Sequence, residues 1–366
     1  MFLCRWRNSR RDQLLREVLF GLLTPHIDMI PILKWLIIAI VSLTACSRQA
    51  VRQSPKEVDV DKVELSEKTV DASCDTLIRV PESPGVSIHI YKDYICKLYF
   101  KDNSTPMSFE VWNMDNNRQL YRYDTQRDNL LFPIGTWSNS HLTINDSVSE
   151  KILLFNIDDA VKAKDYIPEK KSTHISSTRI IPWNNRLAFL NDYSYKDNIQ
   201  RICFTNRNWI YKEKHKYDFN SANVIHGDLI SNNSNSKAAY VPDNNNTIEI
   251  LDSGGNKEVL IQLYHETRQE IASFDLNGTT IYAFKSPAVE CFSSACGGFN
   301  TFVAGYIDDD RNHSIVVFDW EGHLLGIFKV GGEIKDLSYS EDEKNIYAFE
   351  RIDNFYYLIK YSVPLI

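Results

Sequence analysis

Two cysteines five positions apart, Cys291 and Cys296, enclose Phe-Ser-Ser-Ala and run into Gly-Gly-Phe-Asn. A short closed loop would bring their α-carbons within the 4.4–6.8 Å that a disulfide spans. An oxidising compartment would preserve such a bridge; two independent thiols and a metal-binding pair are the other readings of this spacing. Residues 286–300, which hold the pair, interrupt a repeat that otherwise aligns. Two glycines, small polar residues, Phe292 and Phe299 suggest a projecting recognition loop, because binding concentrates on extra loops carried by a rigid scaffold. A local disulfide there would reduce the entropy lost on binding.

Other candidate chemistry is sparse. The sequence contains no G-x-S-x-G elbow, H-E-x-x-H helix, phosphate loop or dinucleotide fingerprint. His226-Gly227-Asp228 suggests a catalytic pair, but neighbours on a strand point to opposite faces, and a turn is the plainer reading. Asp308-Asp309-Asp310 offers hard oxygen ligands without the alternate spacing of a calcium loop, so a solvated turn is expected. Trp112, Trp137, Trp183, Trp209 and Trp320 are read as packing aromatics before a sugar or peptide platform. Cys96 and Cys203 lie in apolar runs and are expected as buried thiols. No catalytic residue, cofactor or metal ligand is assigned on these grounds.

The N-terminus carries a sharper signal. Residues 30–45 read I-P-I-L-K-W-L-I-I-A-I-V-S-L-T-A, shorter than the roughly 20 apolar residues that cross a bilayer. The length suits the apolar region of a signal peptide, which ends in small residues before its cleavage site. Leu43-Thr44-Ala45-Cys46 resembles the lipobox of bacterial lipoproteins. That resemblance implies cleavage between Ala45 and Cys46 and acylation of Cys46, and Ser47 resembles sorting to the outer membrane. With Met29 as the physiological start, residues 1–28 are an upstream extension and 29–45 the signal peptide. Residues 46–73 are polar, carry both charges and lack aromatic side chains. They are expected to form a flexible tether, since such a stretch buries too little apolar area to offset its ordering.

From residue 74 to 366, short apolar and aromatic runs alternate with turn clusters, the pattern of an all-β protein built from hairpins. Thr247 to Leu263 aligns without a gap on Ser314 to Val330, placing Asp252 on Asp319 and Gly255 on Gly322. Ile281-Tyr282-Ala283-Phe284 and Ile346-Tyr347-Ala348-Phe349 extend the likeness. Four strands per repeat is the build of a propeller blade. Hairpin pairs fall near 85–123, 128–168, 176–218, 222–264, 270–329 and 331–362, predicting a six-bladed β-propeller; a pair of β-sandwiches is the alternative. Residues 76–80 are expected to close the ring by adding a strand to the last blade.

In the lipobox, the polar tether and the final blades (Gly305-Tyr306, Ile315 through Asp319, Gly322, Leu337 through Ser340, Tyr347), the chain resembles the TolB-like six-bladed propeller lipoproteins of Bacteroides-type bacteria. The resemblance implies a lipid-anchored envelope protein, facing the periplasm from the outer membrane, but carries no catalytic residues. The expected function is binding or scaffolding of a protein, peptide or glycan. A metal-dependent propeller hydrolase or lactonase, with ligands at the channel mouth, is the enzymatic alternative, and a purely structural envelope component a third reading. The 366 residues carry 41 Lys and Arg against 48 Asp and Glu. A mild acidic excess without basic runs argues against a nucleic-acid partner.

Overall fold

Asp252 and Asp319, paired by the sequence repeat, open the same turn. The Asp252 carboxylate accepts the amides of Gly254 and Asn256 at 2.8 Å each. That of Asp319 accepts those of Glu321 and His323 at 2.9 and 2.8 Å. Gly255 and Gly322 follow at φ 81° and 88°, backbone that a Cβ disfavours. At Gly322 a Cβ would also stand 2.8 Å from Val259 Cγ1. Both turns join the third and fourth strands of a four-stranded meander.

The structure is a computed structural model. It describes residues 54–70, 73–80, 87–99, 108–124, 135–138, 140–146, 151–163, 165–172, 180–183, 186–191, 201–205, 217–218, 227–232, 236–266, 271–276, 279–285 and 289–362. The lipobox, Ala45, Cys46 and the segments 1–28 and 29–45 lie outside these residues, as do His226 and Trp209.

The chain enters with β1 (Lys56–Val60), α1 (Lys62–Glu67), β2 (Thr69–Val70) and β3 (Ser73–Val80). A first sheet follows from β4 (Ser87–Tyr91), β5 (Tyr94–Tyr99), β6 (Ser108–Asn113) and β7 (Arg118–Asp124). The second has β8 (Gly135–Ser138), β9 (His141–Asp146), β10 (Lys151–Asn156), α2 (Ile157–Lys162) and β11 (Glu169–Ser172). The third has β12 (Ile180–Trp183), β13 (Arg186–Asn191), β14 (Arg201–Phe204) and β15 (Tyr217–Asp218). The fourth has β16 (Gly227–Ser231), β17 (Ala238–Pro242), β18 (Thr247–Leu251) and β19 (Lys257–Leu263). A separate hairpin, β20 (Ile271–Leu276) and β21 (Thr279–Phe284), precedes the fifth sheet: β22 (Phe292–Gly297), β23 (Thr301–Ile307), β24 (His313–Asp319) and β25 (Leu324–Lys329). The sixth contains β26 (Glu333–Tyr339), β27 (Asn345–Ile352), β28 (Phe355–Ser362) and, at its edge, β3.

Within these six sheets the strands pair antiparallel, in chain order except for β3 at the edge of the sixth. The first strands neighbour one another in the order β8, β12, β16, β22, β26, β4. Consecutive meanders packed around their first strands make an all-β propeller. Apolar clusters fill the interfaces. One joins the first sheet to the second around Phe109 and Phe155, and another the third to the fourth around Trp183 and Tyr240. The fourth packs on the fifth through Ile261, Phe302 and Phe318. The fifth packs on the sixth through Val317 and Ala348, and the sixth on the first through Phe349 and Ile90. Residues 76–80 do add a strand to the last sheet: β3 pairs antiparallel with β28 from Val80↔Tyr356 to Ser73↔Ser362.

The N-terminal stretch departs from the expected tether. Residues 56–60 run parallel to β19 as a fifth strand, from Lys56↔Val259 to Val60↔Leu263. Asp61 then caps α1 by accepting the amides of Val63 and Glu64 at 2.9 and 2.8 Å, and Thr69–Val70 run parallel to β25. The physical reason is an edge: unpaired main-chain groups on β19 and β25 order a segment whose own composition would leave it unfolded. Val60 is the strap's buried anchor, 2% exposed, and burying such a side chain contributes roughly 1.5–2 kcal/mol. The flexible-tether reading of 46–73 therefore fails for 56–70.

Candidate functional site

The polar groups nearest the centre of the propeller sit on first strands, and they stitch neighbouring sheets together. Asp228 on β16 accepts the Ala295 amide of β22 at 2.8 Å. Asp336 on β26 accepts the Ile88 amide of β4 at 2.7 Å and the Ser294 hydroxyl of β22 at 2.9 Å. Ser338 accepts the Ile90 amide at 2.9 Å. First strands of adjacent blades share no ladder, so inward carboxylates and hydroxyls satisfy amides that would otherwise be orphaned. Burial pushes the Asp336 carboxyl up to about 6, with the Asp228 charge adding to the rise and the Ile88 and Ser294 donors opposing it. Sequence reasoning passed over Asp336; in the strand E-I-K-D-L-S-Y it is one of three charged residues, and nothing in the sequence sets it apart from Glu333 and Lys335. Asp228, weighed as half of a His–Asp pair, is a strand residue with this stitching role, and not part of a turn.

Cys291 and Cys296 are free thiols, a correction to the expected bridge. Cys291 immediately precedes β22 and Cys296 lies within it; with a bulge between Phe292 and Ala295 they face positions four residues apart on β23, and at about 3.3 Å per residue that is roughly 13 Å, well beyond bridging distance. Burial pushes both thiols up to about 12, so they stay protonated and unreactive at neutral pH. Residues 292–297 are not a projecting loop either. They form β22, the first strand of the fifth sheet, and the true insertion beside the repeat is the β20–β21 hairpin. A Cβ at Gly297 would meet the Ser231 carbonyl at 2.2 Å, so this glycine permits the close approach of β16 that sequence reading took for loop character.

Phe292 and Phe299, paired in the sequence reading, part company. Phe292 is buried at 2% exposure and packs at 6.0 Å on Tyr306. Phe299 is 57% exposed at the β22–β23 turn. Its turn is firmly held. Glu343, in the β26–β27 turn of the next sheet, accepts the amides of Phe299 and Asn300 and, at 3.2 Å, the Thr301 hydroxyl. Trp320, buried in the β24–β25 turn, donates its indole N–H to the Gly298 carbonyl at 3.3 Å. In an antiparallel meander the first–second and third–fourth strand turns lie at one end, so Phe299, Trp320 and Glu343 gather on one face of the propeller. An apolar ring on a pinned turn is suited to contact a partner.

At the opposite end, His265 Nδ1 lies 2.7 Å from Asp309 Oδ1, with the His265 side chain buried. Asp309 also accepts the Glu266 amide at 2.8 Å. Asp308 closes its own turn by accepting the Asn312 amide at 2.8 Å, while Asp310 is exposed. Among the described residues, no group of three or more His, Cys, Asp or Glu is placed to hold a metal ion. Trp183 and Trp320 are buried, and Lys97 covers the half-buried Trp112 ring at 4.0 Å, which favours packing over a ligand platform for these three. Cys96 is fully buried.

No family profile matches the chain, and no curated protein matches it. Among solved structures, Raptor of Chaetomium thermophilum is similar at 13% identity over 83% of this chain and 30% of that one, TM-score 0.47. U3-55K matches at 11% identity over 79% and 98%, TM-score 0.45. The Cps50 (Swd1) β-propeller domain of Myceliophteria thermophila matches at 10% over 80% and 100%, TM-score 0.43. This chain thus spans less than a third of the Raptor chain and nearly all of the other two. Likeness at this level carries no functional argument; the propeller rests on the strand order and pairing above.

Proposed function

We propose that this protein is a binding or scaffolding propeller of six blades, held on a bacterial outer membrane by acyl chains on Cys46 and facing the periplasm. The observation that carries the binding reading is the use made of the central carboxylates. Asp228 and Asp336 accept main-chain amides across blade boundaries, so they rigidify the ring, whereas a hydrolase needs such groups converging on a substrate or metal. A stiff ring with a pinned, exposed Phe299 on one face can present a surface to a protein, peptide or glycan at little entropic cost. The face carrying Phe299 is the recognition surface in this reading.

A photoreactive phenylalanine analogue at Phe299 tests it in intact cells, with the same analogue at Phe355, on a turn of the opposite end, as control. A discrete adduct from position 299 that is absent from 355 supports the reading. Identical diffuse labelling from both positions contradicts it. The anchor is tested separately: Cys46→Ser abolishes incorporation of labelled palmitate if Cys46 carries the lipid, and persistent labelling removes the lipoprotein assignment.

A further inference from the structure

The fourth and fifth sheets each possess four strands of their own, and the strap adds a fifth to both. Its main-chain pairing is regular, but its side-chain hold is slight. Along β1, Lys56, Val58 and Val60 occupy alternate positions on one side, while Glu57 and Asp59 are exposed. Val60 is buried, and Val58 and Leu65 pack partly against the core between the fourth and fifth sheets. The Lys56 ammonium donates to the Glu321 carbonyl at 3.3 Å. Beyond that, α1 buries no residue, β2 pairs through two residues, and the Lys62–Glu266 ion pair at 3.4 Å lies between side chains 72% and 59% exposed, a contact of little worth in water.

We propose that the outer edge of β19 is a strand-acceptor site, closed at rest by the chain's own residues 56–60, and that its exchange partner is an extended segment of another protein carrying a Lys-x-Val-x-Val pattern. The recognition chemistry is already displayed by the strap. Main-chain pairing to Val259 through Leu263 supplies affinity independent of side-chain identity. The recess that holds Val60, the shelf for Val58 and the Glu321 carbonyl facing Lys56 select a β-branched, β-branched, basic alternation. A segment tethered through its own chain competes at high local concentration, so the site opens to an outside strand only when the strap is displaced. Because the strap is a fifth strand, its departure leaves the four-stranded sheets paired and takes from the interface between the fourth and fifth sheets Val60 with the partly buried Val58 and Leu65.

The test uses the full-length chain with Val60→Asp, which places a charge in the recess, and a fluorescent peptide of residues 55–70. At least tenfold tighter peptide binding to the variant than to the unaltered protein is expected, with binding lost when Val58 and Val60 of the peptide are replaced by Asp. No binding by the variant overturns the proposal, as does loss of the ring's cooperative unfolding in the variant, which would make the strap integral to the fold. Trypsin supplies a readout on the unaltered protein. Cleavage at Lys62 and Lys68 while the ring stays folded supports displacement, and resistance until global unfolding refutes it. A dimer in which a second copy donates the strap also overturns the assignment to a different partner.

Discussion

Two edge strands come from the same N-terminal stretch and behave differently in the fold. β3 pairs antiparallel with β28 and completes a sheet that otherwise has three strands. β1 pairs parallel with β19 and extends a sheet that already has four. β28 inserts Leu358, Ile359 and Tyr361 into the core, at 2, 5 and 2% exposure, so its pairing with β3 joins the last sheet to the chain's beginning. β1 buries Val60, whereas the described side chains of β3 are exposed apart from the half-buried Ile78, so the two edges differ in the sheet they complete and not in how deeply they bury their own residues. A strand becomes essential to a propeller when the sheet's count depends on it, and optional when it decorates a finished edge.

The largest effect expected from this contrast comes from removing 355–362. Without β28, β3 loses its partner and β27 keeps only β26, and the cooperative transition followed by circular dichroism should vanish; an unchanged transition would disprove closure through the last sheet. Asp336→Ala should cost about 3 kcal/mol in urea denaturation, because it strands the buried Ile88 amide and the Ser294 hydroxyl at two blade boundaries. A cost under about 1 kcal/mol would mean that the first strands hold without the stitch.

The effect of pH is smaller. Asp336 is raised to about 6 and Glu350, buried against the Tyr361 hydroxyl and Gly332 amide, to about 7. Raised carboxyls make the folded state bind protons more readily than the unfolded chain, so stability grows as pH falls from above 7 toward the ordinary carboxylate range. His313, whose burial lowers its imidazole, opposes this. The net gain from pH 7.5 to pH 5 should be about 2 kcal/mol, and Asp336→Asn with Glu350→Gln should flatten it. A midpoint that drops on acidification in this window would contradict the buried-acid account. Val60→Ala, on the strap, should lower ring stability by no more than about 1 kcal/mol; a loss comparable to that of Asp336→Ala would erase the distinction between the two edges.

Much of the ring was legible because turns announce themselves. Asp252 and Asp319 sit three residues before a glycine that must adopt positive φ, and the structure closes both turns with the same bonds. The closing role of β3 was legible from an apolar run placed just ahead of the first hairpin. The strap was not, because K-E-V-D-V has neither the aromatic content nor the flanking turns of a strand; a neighbouring edge imposes its conformation. β22 was hidden for a related reason. Its Ser-Ser and Gly-Gly read as loop, whereas packing against Ser231 requires small residues on an inner strand. Phe299 was singled out for the right exposure on the wrong element, and the stitching role of Asp228 and Asp336 was hidden because their amide partners lie 67 and 248 positions away.

Native-state hydrogen exchange compares the two edges most directly, since one experiment reads the amides of β1 and β3 in the same molecule. The account predicts that β3 amides exchange only with global unfolding, as slowly as those of β27, while β1 amides exchange at least tenfold faster through opening of the strap alone. Equal protection of β1 and β3 would contradict it.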